Sequence, residues 1–165
     1  VAANGNVKVS WVPAIANQAA PTAAELNATG AIDISCGIVG SGFTPGSDQT
    51  TSQDVRLCST QVFDVPGDIN YTIDDIEVII TPQDVSPTGE NKIYDTLATG
   101  TTGFIVARWG KPFASTYATA DVVDVYHVTL GAWTKQAPER NTKLRAKIKV
   151  NVVAPGLEQD ASVAA

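Results

Sequence analysis

A hydrolytic triad needs an imidazole beside a serine or cysteine, so the single histidine, His127, is the first place to look for chemistry in this chain. It lies in Val-Tyr-His-Val-Thr, an alternating segment with no orienting carboxylate at a recognisable spacing, and reads as an ordinary strand histidine rather than a general base. Asp74-Asp75-Ile76-Glu77 offers oxygen ligands of the kind Ca²⁺ or Mg²⁺ takes, but EF-hand spacing is missing and alternation sends Asp74 and Asp75 to opposite faces. A solvated acidic strand accounts for it better. Asp33, Asp121 and Asp124 have no partners identifiable by spacing. The stretch Gly-Ile-Val-Gly-Ser-Gly-Phe-Thr-Pro-Gly lacks the Lys-Ser/Thr of a phosphate loop and opens no helix, so neither nucleotide motif fits. No catalytic, cofactor-binding or metal-ligating residue is assigned, and the chain is read as non-enzymatic.

The two cysteines, Cys36 and Cys58, form no Cys-x-x-Cys pair. They are either a disulfide of an oxidising compartment or two small buried hydrophobes. Cys36 shares a parity with Ile32, Ile34 and Ile38, which favours burial and two free thiols. The opening Val-Ala-Ala-Asn-Gly-Asn has neither a basic start nor an apolar run, so no signal peptide is visible and a cytosolic product is expected. No stretch approaches the length of a membrane span.

The elements that would carry these residues are short. Frequent Gly, Pro, Ser and Thr with only 17% charged residues point to many strands and turns rather than long amphipathic helices. Strands are expected over Val7–Ile15 (ending near Pro13), Ala31–Val39, Val55–Val65, Ile69–Thr81, Gly103–Gly110, Asp121–Trp133 and Lys143–Val153. Parity flips between Ile73 and Ile76, predicting a β-bulge at Asp74-Asp75. Thr22 with Glu25 three residues on forms a capping box, and Glu90–Ala98 is the best helix, with Ile93 and Leu97 on one face and Gly100 as a stop. Gly40–Gln53 reads as a long loop without periodicity. The sum is one mainly β domain over 1–153, a β-sandwich or barrel of about seven or eight strands with one or two short helices, followed by a C-terminal arm over 154–165.

Charge is unevenly placed. Asp48 to Asp95 holds ten acids against Arg56 and Lys92, whereas Arg108 to Lys149 holds eight cations against three acids. Lys143, Arg145, Lys147 and Lys149 share one parity of the last strand. They form either a solvated face or an electropositive surface that meets the acidic surface of an identical neighbour, a heterologous and propagating contact. A net charge of −6 argues against a duplex-binding groove, which needs a basic surface.

Three segments carry a likeness: Ala20-Pro21-Thr22-Ala23-Ala24-Glu25-Leu26 between an opening strand and an Ile-Asp strand, Val106-Ala107-Arg108-Trp109-Gly110, and Val123-Asp124-Val125-Tyr126-His127-Val128. They resemble segments of the tail tube (major tail) proteins of long-tailed, siphovirus-type phages of actinobacterial hosts. The likeness runs over most of residues 7 to 153. It implies a β-sandwich that assembles as hexameric rings, stacked head to tail into a hollow tube conducting double-stranded DNA from capsid to host. The implied partners are further copies of the chain and the tape measure, terminator and tip proteins; the implied location is the virion tail, assembled in the host cytoplasm. On this reading Asp68, Asp74, Asp75 and Glu77 are candidates to face the channel. Lys143, Arg145, Lys147 and Lys149 would face a neighbour or solvent outside it, and Phe43, Pro45 and Asp48 belong to an inter-ring loop. The alternatives are another virion component of similar fold (terminator, connector or decoration protein), or an adhesion or carbohydrate-binding β-sandwich, which would need an exposed aromatic platform.

Overall fold

A computed structural model describes residues 1–86 and 89–165. Among them the chain forms eight strands and two short helices: β1 (Val7–Val12), α1 (Ala23–Leu26), β2 (Ile32–Asp33), β3 (Pro45–Asp54), β4 (Phe63–Ile73), β5 (Ile76–Ile79), α2 (Lys92–Thr96), β6 (Thr102–Trp109), β7 (Val122–Lys135) and β8 (Arg145–Ser162). Six strands make one antiparallel sheet in the order β2-β1-β6-β7-β8-β5, and β3 and β4 pair only with each other. The expected mainly β architecture is what the chain adopts.

The six-stranded sheet is apolar on both faces, which is why β6 and β7 read as nearly continuous hydrophobic runs. One face gathers Val9, Trp11, Ile105, Tyr126, Val128, Leu130, Ile148 and Val150, closed over by Ile34, Ile73, Ile93 and Leu97. The other gathers Val12, Val106, Val123 and Val125 beneath Leu26, Tyr117 and Val163. Trp11 can lie flat across β6 only because position 103 is glycine: a Cβ there would sit 2.6 Å from the indole ring. Helix α2 is too short to stand alone. It is held by burying Ile93 and Leu97, worth roughly 1.5–3 kcal/mol each. Gly100, at φ +84°, turns the chain back into β6.

Helix α1 starts as its residues dictate. Thr22 Oγ1 accepts from the Glu25 amide at 3.2 Å, and Glu25 Oε2 accepts from the Thr22 amide at 2.8 Å. A second oxygen, Glu25 Oε1, accepts from the Ala16 amide at 2.9 Å. These backbone hydrogen bonds hold the Glu25 carboxyl below its ordinary pKa.

Four expectations are corrected. The strand over Ala31–Val39 stops after Asp33, because Asp33 Oδ1 captures the Ser35 amide (2.9 Å) and the chain turns, leaving Cys36 exposed rather than in the core. The segment Gly40–Gln53 is a loop only as far as Thr44; Pro45 begins a strand. The parity flip at Asp74-Asp75 is no bulge within one strand but the passage from β4 in one sheet to β5 in the other. The strand expected over Val55–Val65 begins only at Phe63 and runs on through Pro66-Gly67 to Ile73, residues 55–62 forming the connection from β3. In the C-terminal arm, β8 runs to Ser162, Ala161 and Val163 are buried, and the Ala23 amide donates to the Ala164 carbonyl at 3.0 Å.

Candidate assembly surfaces

The β3–β4 hairpin is the feature with least support inside its own chain. Its ladder runs from Pro45↔Ile73 to Asp54↔Phe63, with a register shift between Gln49 and Thr51. A Cβ at Gly67 would lie 2.4 Å from Thr50 Oγ1, so glycine is required where the strands approach at that irregularity. Only Ile73, at the base, is buried. Val55, Leu57, Val62, Phe63, Val65 and Ile69 are exposed, and Asp48, Asp54, Asp64 and Asp68 face a single cation, Arg56, which pairs with Asp54 at 2.7 Å. A two-stranded ribbon is marginal in water without a partner for one of its faces. Its exposed apolar side chains are what a contact with another molecule would cover.

The second surface is the outer face of β5 and β8. Glu77 stands directly opposite Lys147 in the ladder and pairs with both Lys147 (3.5 Å) and Arg145 (3.2 Å); Lys149 pairs with Asp75 at 3.5 Å. Lys143 pairs with Glu90, whose carboxyl that hydrogen bond and charge hold below the ordinary range. Asp75, Glu77 and Glu90 of the acid-rich stretch thus meet the basic row on one surface, whereas the acids of the hairpin stay apart from it. The alternation itself is as expected, with Ala146, Ile148 and Val150 buried behind the row. Asp68 and Asp74 form no ion pair among the described residues; Asp74 lies beside Asp75, Glu77, Lys147 and Lys149 around a shallow polar cleft, while Asp68 is on the hairpin.

A third arrangement fixes the loop between β6 and β7. The Arg108 side chain is 1% exposed, and its Nη1 donates to Asp121 Oδ2 and to the Thr116 carbonyl, both at 2.9 Å. Its Nη2 donates to the carbonyls of Pro112 (2.9 Å) and Ser115 (3.1 Å) and to Ser115 Oγ (2.6 Å). Lys111 closes on the other Asp121 oxygen, and Lys8 reaches the Ser115 carbonyl at 3.1 Å. Burial pushes the Asp121 carboxyl up, but hydrogen bonds from Lys111, the Ala118 amide and Arg108 outweigh it and hold the pKa below the ordinary aspartate value. Tyr117 lies under both Lys8 and Arg108, and burial pushes its hydroxyl up to about 12, so it stays a neutral donor to Ser10 Oγ at 3.0 Å. This clamp ties residues 110–121 to the body without a helix or strand.

A family model described as phage tail tube protein matches residues 1–165. The chain belongs to that family. It is a structural component of the phage tail, and hence of the virion. A solved chain in the cryo-EM structure of the anti-feeding prophage baseplate, six-fold symmetrised, shares the fold: 10% identity, 96% of this chain and 94% of that one covered, TM-score 0.56. No curated protein sequence matches.

Within this tail protein the residues first considered for chemistry have structural work. His127 packs on Phe104 (4.8 Å between centroids), and its Nδ1 lies 2.6 Å from the Ala154 carbonyl. Gln18 Nε2 donates to the Gly156 carbonyl at 2.6 Å; together these side chains hold the irregular part of β8 opposite Tyr126–Val128. Among the described residues no group of three or more His, Cys, Asp or Glu is placed to hold a metal, and no helix is long and apolar enough to cross a membrane. The three tryptophans form no platform: Trp11 is buried, Trp133 packs on Tyr94 and donates to the Leu97 carbonyl (2.7 Å), and Trp109 alone is half-exposed. Of the expected inter-ring residues, Pro45 and Asp48 lie on β3, whereas Phe43 stays with the body, 6.3 Å from Trp109. Sequence reasoning missed the clamp, although Arg108 sits in the Val-x-Arg-x-Gly segment and shares the parity of Phe104 and Val106. An arginine on a strand that is apolar on both parities is itself the sign of a buried ion pair.

Proposed function

We propose that the chain polymerises as hexameric rings, stacked head to tail, into the hollow tail tube of a siphovirus-type phage of an actinobacterial host, and that the tube conducts double-stranded DNA. The observation that carries this reading is the β3–β4 hairpin, ten and eleven residues per strand and exposed almost throughout. An arm whose outer part, beyond the buried Ile73, finds no partner in its own chain, in a member of a tail tube family, fits a contact with the next copy. The arm and whatever surface receives it are different parts of the molecule, so the contact is heterologous and repeats along a polymer. Tape measure, terminator and tip proteins would then meet only the ends or the lumen of the tube.

Charge supports the conduit. DNA passing many identical rings would stall on any row of free cations, because each neutralised phosphate releases counter-ions and adds affinity. Here every cation of the row Lys143, Arg145, Lys147 and Lys149 has an intramolecular carboxylate. We place Asp68, Asp74, Asp75 and Glu77 toward the channel. The β5–β8 cations, Arg145 and Lys147 sharing the one Glu77 carboxylate and Lys149 paired with Asp75, would then share that side rather than stand apart from it. Sedimentation velocity over a wide concentration range tests the reading: large polymers are expected, and a chain that stays a monomer or closed dimer in both low and moderate salt overturns it.

A further inference from the structure

The turn Ala3–Asn6, just before β1, holds the only Asn-Gly pair of the sequence, Asn4-Gly5. The Asn6 amide closes the turn on the Ala3 carbonyl at 3.1 Å, and Gly5 sits at φ +75°, a conformation glycine adopts without steric cost. Both residues are exposed. Among the described residues neither the Asn4 side chain nor the Gly5 amide has a hydrogen-bond partner, and the space where a Cβ of residue 5 would stand is open. An unbonded backbone nitrogen therefore lies next in the chain to an untethered carboxamide, with no side chain to crowd their approach.

The other asparagines are placed differently. Asn27 donates to the Ala23 and Tyr117 carbonyls, Asn91 donates to Asp95, Asn6 donates to the Ala2 carbonyl and Asn17 accepts from the Ala19 amide. Asn70 and Asn151 lie within β4 and β8, followed by Tyr71 and Val152, and Asn141 precedes the β-branched Thr142.

We propose that Asn4-Gly5 is a self-modifying site, where the chain's own backbone deamidates Asn4 to isoaspartate or aspartate. The Gly5 nitrogen gives up its proton and attacks Asn4 Cγ; a C–N bond forms, the Cγ–Nδ2 bond breaks, and ammonia leaves with a proton from water. Water then opens the resulting succinimide at either carbonyl, leaving a carboxylate at residue 4. Water is the only co-reactant.

The isoaspartate product carries one extra carbon in the main chain at residue 4. Two hydrogen bonds span that point, Asn6 amide to Ala3 carbonyl and Asn6 Nδ2 to Ala2 carbonyl (2.9 Å), and both are lost. The Gly110 amide on the Asn6 carbonyl (2.8 Å) and the Phe113 amide on the Gly5 carbonyl (3.0 Å) lie downstream and persist. The reaction thus releases residues 1–3 from the body while β1 and the loop after β6 stay joined.

To test this, the folded full-length chain is incubated in oxygen-18 water under mildly alkaline conditions, then digested and sequenced by electron-transfer mass spectrometry, which separates isoaspartate from aspartate. Residue 4 should carry heavy oxygen at least tenfold above any other asparagine, with isoaspartate among the products. Asn4→Gln, on an exposed turn, should remove the label there and leave the circular dichroism unchanged. Hydrogen exchange reads the consequence: in the modified chain the Asn6 amide should exchange at least tenfold faster, and the Gly110 and Phe113 amides no faster. Label at residue 4 no greater than at Asn141, or label that appears only once urea unfolds the chain, overturns the site. Unchanged Asn6 exchange in the modified chain overturns the release of residues 1–3.

Discussion

Asp121 shows how single side chains hold this fold's least regular part. It accepts from Arg108, Lys111 and the Ala118 amide while 1% exposed, so replacing it leaves Arg108 buried and unpaired. Asp121→Asn should destabilise the chain by about 3–5 kcal/mol, read from urea denaturation at neutral pH. Because the folded carboxyl titrates below its ordinary value of about 4, its contribution is complete above that pH. It is lost as pH falls through the lower folded value. The wild-type chain should therefore lose stability in that acid window, and Asp121→Asn should flatten that limb of the profile. Lys149, on an exposed pair with Asp75, sets the contrast: Lys149→Ala should change stability by less than about 1 kcal/mol in the same measurement.

At the scale of elements, what could be read beforehand was whatever carries its own local signal. The capping box of α1 needs only Thr22 and Glu25, and Thr22→Ala should cost about 1 kcal/mol of unfolding free energy. The strands β1, β6 and β7, the apolar alternation of β8 and the Ile93–Leu97 face of α2 were legible because a core selects for them. The hairpin was not. Ser47, Gln49, Thr51 and Gln53 bury nothing, so β3 has no apolar face to alternate against, and a strand of this kind looks like a loop. Cys36 misled for the opposite reason: its parity matched a strand that Asp33 and Ser35 end by side-chain hydrogen bonding, a choice periodicity does not record. The exposure of the hairpin makes its removal informative. Excising the outer ladder between Thr51 and Pro66 and joining the ends by a short turn removes no buried residue, so the thermal midpoint should stay nearly unchanged while polymers disappear. Normal polymers from that variant would remove the hairpin from the account of assembly.

For the whole molecule three features stand together: membership of the tail tube family, an arm whose outer part has no partner at home, and a row of cations each of which has an intramolecular carboxylate within reach. None of them alone makes a tube; together they support the proposed reading of a subunit that binds its own kind and does not hold phosphate. A reconstruction by cryo-electron microscopy of the chain polymerised in solution tests that combination most directly. The account predicts a hollow filament with six copies per ring, hairpins bridging between copies, and Asp68 and Asp74 nearer the axis than any unpaired lysine or arginine. A solid filament, a closed dimer, or a channel lined by unpaired cations would contradict it.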